Sequence, residues 1–201
     1  MLLTGPSGSG KSSLAARAAL PVLHLDDFYK AGDDPTLPAL AGGGGTDWDS
    51  PQSWDADAAV AAIEAVARGG TAVVPVYSIA TSSITGMNEF ELGGAPVFVA
   101  EGIFAAEIVA RCRAAGLLAD AVCLRGRPVV TGWRRLRRDL REGRKSMPYL
   151  LRRGWRLMRA ERGIVARQAA LGATPCGHAE ALGRIRTAAA GAVPASAPVR
   201  A

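Results

Sequence analysis

Gly5-Pro6-Ser7-Gly8-Ser9-Gly10-Lys11-Ser12 matches the pattern G-x-x-x-x-G-K-[ST] at every fixed position. The stretch works through its backbone. Glycines at 5, 8 and 10 let successive N–H groups turn inward around a polyphosphate. Lys11 adds a point charge for the β- and γ-phosphates, and the Ser12 hydroxyl is a hard oxygen suited to Mg²⁺. The flanks agree with this reading. Met1-Leu2-Leu3-Thr4 ends as a buried strand would, and Ser12 to Leu20 reads as a helix whose N-terminus, with its partial positive charge, faces the phosphates. That strand–loop–helix setting separates the stretch from a chance Gly/Ser-rich turn. It predicts that residues from Gly5 to Ser12, and Ser13 beside them, hold a nucleotide's phosphates.

The 201 residues suffice for one α/β domain with a sizeable core, and an apolar share of 49 % suits a globular chain. No apolar run is long enough to span a bilayer, and no basic-then-apolar signal opens the sequence, so the expected location is cytoplasmic, with no membrane partner. Cys112, Cys123 and Cys176 lack C-x-x-C spacing and read as buried, inert thiols. With only His24 and His178 besides, a zinc site is not expected. The net charge of +6 is unevenly placed: 15 of the 24 Lys and Arg residues fall between Arg125 and Arg167, opposed there by Asp139, Glu142 and Glu161. Such a local field attracts polyanions, either nucleotide phosphates or nucleic acid.

Further along the chain, Pro21 to Leu25 reads as a second strand ending in Asp26-Asp27-Phe28-Tyr29. Ligands of open parallel sheets lie at the carboxyl ends of strands, so a carboxylate here faces the phosphate loop or, failing that, caps a turn. Residues 31–52 lack periodicity and read as a long loop carrying Asp47-Trp48-Asp49-Ser50-Pro51, either an acidic and aromatic closure over a polar substrate or a solvated turn. Ser53 reads as the N-cap of a helix from Trp54 to Arg68 that stops at Gly69-Gly70. Thr71 to Tyr77 reads as a strand, short or at an edge because of Pro75, followed by irregular or hairpin structure over 78–95. Pro96 to Ala100 is a continuous apolar run suited to a central strand. It ends in Glu101-Gly102, where the carboxylate either reaches the Mg²⁺ shell or caps the next helix, Ile103 to Ala115. Asp120 to Leu124 is a further strand. Val129 to Arg141 and Tyr149 to Leu171 read as helices rich in arginine, whose guanidinium groups either fork onto phosphates or form a solvated basic face. Residues 1–187 read as one domain and the Ala/Pro-rich end, 188–201, as a frayed tail. The alternation of strands and helices predicts a doubly wound, mostly parallel α/β sheet flanked by helices, with an Arg-rich helical lid at about 125–150.

The phosphate loop, Asp26-Asp27-Phe28-Tyr29, Trp48-Asp49-Ser50-Pro51, Pro75-Val76-Tyr77, Glu101-Gly102-Ile103 and Arg134-Arg135-Leu136-Arg137-Arg138-Asp139 occur in that order. Over roughly residues 1–145 the chain resembles the uridine kinase branch of the uridine kinase/phosphoribulokinase-like P-loop kinases. The resemblance implies ATP and Mg²⁺ as cofactors and a nucleoside such as uridine or cytidine as acceptor of the γ-phosphoryl group. It implies that Asp26 takes the proton of the attacking 5′-hydroxyl. Tyr29 and Tyr77 would lie around the nucleobase, Asp49 at the ribose hydroxyls, and Glu101 with Ser12 near Mg²⁺. Arg135 and Arg138, and Arg144 after them, would be lid arginines on the phosphates. Where family members place an Asp, a His and an Arg after the Pro-x-Tyr element, this chain has Ser78, Ser82 and Ile84.

The expected activity is therefore phosphoryl transfer to an alcohol of a small nucleoside-like molecule, with self-association left open. The alternative enzyme is a related kinase of another small alcohol, pantothenate-like or a sugar phosphate. A rival of another class is an ATP-dependent nucleic-acid-binding or regulatory module. The basic segment favours that rival, and its sparse aromatics, Trp133, Tyr149 and Trp155, disfavour it. No Asn-Lys-x-Asp guanine-reading sequence occurs, which disfavours a GTPase.

Overall fold

The structure is a computed structural model and describes residues 1–125 and 162–191. In chain order the elements are β1 (Leu2–Thr4), α1 (Lys11–Arg17), β2 (Val22–His24), α2 (Ala56–Gly69), β3 (Thr71–Ser78), β4 (Ser83–Glu91), β5 (Val99–Glu101), α3 (Val109–Ala114) and β6 (Ala121–Leu124). Then come helical residues 162–170, here α4, followed by β7 (Thr174–Cys176) and α5 (His178–Gly191). Three short 3₁₀ segments, Leu25–Phe28, Pro51–Ser53 and Ala105–Ile108, lie between them.

Five strands form one parallel sheet in the order β2-β5-β1-β6-β7. Strand β1 is central because it is apolar on both sides. Leu2 packs with α2, α3 and α4 on one face, while Leu3 packs with α1 and α5 on the other. The same two-residue alternation divides Val99 from Ala100 and Val122 from Cys123. Continuous apolar runs are what a strand covered on both faces requires. All three cysteines are free and buried, and burial pushes the Cys123 and Cys176 thiols up to about 11.

The chain leaves β1 for β2 on one side and later reaches β6 on the other. The carboxyl ends of β1, β2 and β5 therefore meet at the point where the winding reverses, the usual place for a ligand in such sheets. Strands β3 and β4 stand apart as an antiparallel ribbon, paired from Thr71↔Glu91 to Ser78↔Ser83 with an irregularity at Val76/Tyr77. Among the described residues β3 pairs with β4 alone, which agrees with the edge reading of Pro75. At eight residues, however, the strand is not short.

Several boundaries differ from the sequence reading. The N-cap of α2 is Asp55, which accepts from Ala58 N–H at 2.9 Å; Ser53 is instead buried, its Oγ donating to Ser50 O at 2.7 Å. Helix α1 stops at Arg17, and Ala19 has a positive φ of 54°. Residues 103–115 contain a 3₁₀ turn and a six-residue helix rather than one helix. Helix α5 continues to Gly191, into the stretch read as tail. It is fastened to the start of β6 by a two-pronged Arg184–Asp120 pair at 2.8 and 2.7 Å. The expected helix over Val129 to Arg141, and the lid as a whole, lie outside the described residues, as does most of the helix expected from Tyr149 to Leu171. Among the described residues no helix is long and apolar enough to cross a membrane.

Candidate active site

The phosphate loop leaves β1 at Thr4. A side chain at Gly5 would come within 2.5 Å of the Leu124 carbonyl, and the residue has φ 142°, so only glycine fits there. Gly10, at φ 96°, is the N-cap of α1 and offers no side chain to its first turn. Lys11 is buried, and its Nζ donates to Gly5 O at 3.0 Å and Pro6 O at 3.5 Å. This curls the ammonium group back over the loop it follows. The Ser9 hydroxyl is fully buried inside the loop with no hydrogen-bond partner among the described residues.

Facing the loop is Glu101, the last residue of β5 and 5 % exposed. Its Oε1 accepts from Ser12 Oγ at 2.8 Å and lies 3.1 Å from His24 Nδ1. Burial pushes the Glu101 carboxyl up, but the hydrogen bonds from His24 and Ser12 and the charge of Lys11 outweigh it and hold the group below its ordinary value. The same hydrogen bond to Glu101, against partial burial, raises His24. Sequence reasoning missed His24 because its partner is 77 residues away. Parallel pairing puts His24 beside Glu101, and that register is not written in either segment.

Asp26 lies in the 3₁₀ segment that follows β2. Its Oδ1 accepts from Ile103 N–H at 3.0 Å. This approach requires Gly102, where a Cβ would lie 2.8 Å from Leu25 Cβ and 2.9 Å from Asp26 Oδ1. The carboxylate reaches solvent at the mouth of the cleft, yet the protein crowded around it dominates its titration. That burial raises its pKa; Lys11 and the Ile103 N–H oppose the shift, and Glu101 and Asp27 add to it. Asp26 therefore lies in the electrostatic field of both Lys11 and Glu101. The structure thus places Lys11, Ser12, Glu101 and Asp26 near one another.

The other wall is aromatic. Tyr29 touches Tyr77 at 5.7 Å between ring centroids, Phe104 at 5.8 Å and Trp48 at 6.0 Å. Trp54 lies beneath, its indole N–H donating to Leu25 O at 2.7 Å. The Tyr77 N–H donates to Asp27 Oδ1 at 3.3 Å, and Gly32 N–H to Ser82 O at 2.6 Å, so the β3–β4 ribbon is fastened to the segment after β2. Asp49 is exposed beside this cluster. Its charge, with that of Asp26, adds to the burial that raises the Tyr29 hydroxyl. Phe104 and Gly102 escaped sequence reasoning, although the Glu-Gly-Ile element brackets one of them. Arg135, Arg138 and Arg144 lie outside the described residues.

The donor set fits a small hard cation. A hydroxyl and a carboxylate, both oxygen donors, meet 2.8 Å apart at the loop's end, next to a lysine suited to phosphate. The glycine cradle with its buried, unpartnered Ser9 hydroxyl fits a group that brings its own acceptors, as a polyphosphate does.

No protein-family model matches the chain, and no curated protein matches it. Among solved structures, the chain is similar to one described as a "putative fructose transport system kinase" from Silicibacter sp. TM1040. The TM-score is 0.53 at 17 % identity, covering 82 % of this chain and 83 % of that one. At that identity the likeness extends to architecture: the chain has an α/β fold with a mostly parallel five-stranded sheet flanked by helices, of the kind found in that kinase.

Proposed function

We propose that this protein is an ATP- and Mg²⁺-dependent kinase that moves the γ-phosphoryl group to a hydroxyl of a small-molecule acceptor. The observation that carries the reading is the position of Asp26. It is anchored by Ile103 N–H at the end of β5, within the field of Lys11 and across from a loop built for phosphates. ATP with its metal supplies the phosphoryl group and offsets charge on it during transfer. The chain's own residues do the rest. The loop amides and Lys11 grip the phosphates, and Ser12 with Glu101 holds the cation. Asp26 accepts the hydroxyl proton, a task helped by a carboxylate whose basicity burial has raised. Arg135, Arg138 and Arg144 are proposed to contact the phosphates, as the resemblance implies.

Asp26→Asn tests this. The amide oxygen can still accept from Ile103, so ATP affinity should stay within about twofold while turnover falls about 10²-fold or more. Unchanged ADP release in that variant would remove Asp26 from the mechanism. For the acceptor, the resemblance points first to a nucleoside. A second reading, another small alcohol, is favoured by Ser78, Ser82 and Ile84 on the ribbon, which offer neither the imidazole nor the guanidinium of the resembled family. The likeness to the structure described as a "putative fructose transport system kinase" supports the same alternative.

A further inference from the structure

We infer that the acceptor is a small polyhydroxylated molecule of the monosaccharide class, held between two carboxylates, rather than a nucleoside stacked among aromatic rings. The inference rests on the kinase reading above and concerns the acceptor half of the same site.

A planar base between two rings needs centroids about 7 Å apart, two contacts of about 3.5 Å each. The rings here are closer than that. Tyr29 and Tyr77 lie 5.7 Å apart with planes inclined by 34°, and Tyr29 meets Phe104 and Trp48 nearly edge-on at 5.8 and 6.0 Å. Tyr29 is thus spent on protein contacts on three sides. The hydroxyls are engaged as well: Tyr29 donates to Trp48 O and Tyr77 to Lys30 O, both at 3.2 Å. These bonds turn the polar ends of both tyrosines toward backbone and away from a base edge. Opening the cluster to admit a base would break them along with the ribbon contacts at Asp27 and Gly32.

What remains for an acceptor is acidic. Asp26 Oδ2 and the Asp49 carboxylate receive no hydrogen bond from the described residues, and both flank Tyr29: Asp49 follows Trp48, which meets the Tyr29 ring, and Asp26 is bonded to Ile103, next to Phe104, which meets it from another side. An ionised carboxylate only accepts, so it recognises donors. Adjacent hydroxyls of a sugar supply one donor each, and a C–H edge can rest on the aromatic cluster between them. In the reaction, the acceptor hydroxyl gives its proton to Asp26 and its oxygen forms the new P–O bond. The bond from the γ-phosphorus to the ADP oxygen breaks, and the products are a sugar phosphate monoester and ADP, with the proton passing from Asp26 to water.

The test incubates the full chain with ATP and Mg²⁺ and, separately, D-fructose, D-ribose, uridine or cytidine, following monoester formation by phosphorus NMR. ATP binding is measured in parallel by calorimetry. At least one sugar should exceed both nucleosides in kcat/KM by about 10²-fold, the order of what breaking the two tyrosine hydrogen bonds and the ring contacts would cost a base. Asp49→Asn should then raise KM for that sugar at least tenfold, with kcat within twofold and ATP affinity unchanged. A nucleoside phosphorylated as well as the sugars overturns the inference, and so does an Asp49→Asn variant with unaltered KM. ATP bound but no sugar phosphorylated also overturns it while leaving the kinase reading intact. Failure to bind ATP would instead sink the kinase reading itself.

Discussion

The proposed phosphate side of the site comes from one continuous run, Gly5 to Ser12, whereas the rest of the proposed site is collected from Asp26, Asp49, Tyr77 and Glu101, spread over 76 positions of the chain. On the first side the shape is set by backbone: glycines at positive φ, an N-cap with no side chain, and a lysine folded onto the carbonyls of Gly5 and Pro6 in the same loop. On the second side the functional groups other than Asp49 depend on partners from other elements. Asp26 depends on Ile103, Glu101 on Ser12 and His24, Tyr77 on Asp27, and Tyr29 on Trp48. A locally encoded site tolerates change elsewhere in the fold, while an assembled one fails when any support moves.

Variants can break this contrast. Lys11→Ala strikes the local side directly and should lower turnover about 10²–10³-fold, with weakened ATP binding in titration calorimetry. Its thermal midpoint should change little if the lysine serves ligand rather than fold. Gly102→Ala strikes the assembled side through packing. Its Cβ would crowd Leu25 and Asp26 Oδ1, costing about 1–3 kcal/mol in denaturant melts and displacing the carboxylate. Turnover should fall with ATP affinity kept; equal losses in both would mean that the two sides are not separable. Asp55→Ala removes the side-chain oxygen that caps α2 while keeping the backbone bond from Asp55 N–H to Phe28 O, and should cost about 1 kcal/mol with kinetic constants unaltered.

The smallest effects come from the two carboxylates, whose shifts are opposite. The Asp26 pKa is raised, so its ionisation costs stability above that pKa and the cost vanishes below the ordinary aspartate value. Asp26→Asn should therefore be more stable than the parent near neutrality, an advantage lost below about pH 4. Glu101 is held below its ordinary value, so it contributes stability above that value, lost as pH falls through its folded pKa. Glu101→Gln should be less stable than the parent near neutrality, and the gap should close in acid. Urea midpoints measured across pH distinguish the two, and parallel slopes would contradict the assigned environments.

Much of this was legible in the chain. Apolar runs at Pro96 to Ala100 and Asp120 to Leu124 lead into β5 and β6, because a strand buried on both faces has to be largely apolar, and the run at Pro21 to Leu25 leads into β2, an edge strand whose last residue, His24, is exposed. Strand β7 was not legible, since Thr174-Pro175-Cys176 has neither the length nor the composition of a strand and is recruited by pairing with β6. The cap of α2 was misplaced by two residues because Ser53 and Asp55 both carry capping oxygens. Burial of Ser53 in the turn beside Trp48 decided between them.

The sequence by itself determined the phosphate loop and the parallel α/β architecture. Glycines at 5, 8 and 10 admit the positive φ angles the turn needs, which side chains would oppose, and continuous apolar runs demand cover on both faces of a strand. Only the tertiary structure decided that His24 meets Glu101, that Gly102 makes room for Asp26, and that the tyrosines close on each other. Those contacts join residues dozens of positions apart, and strand register and side-chain packing set them, neither of which any single segment contains.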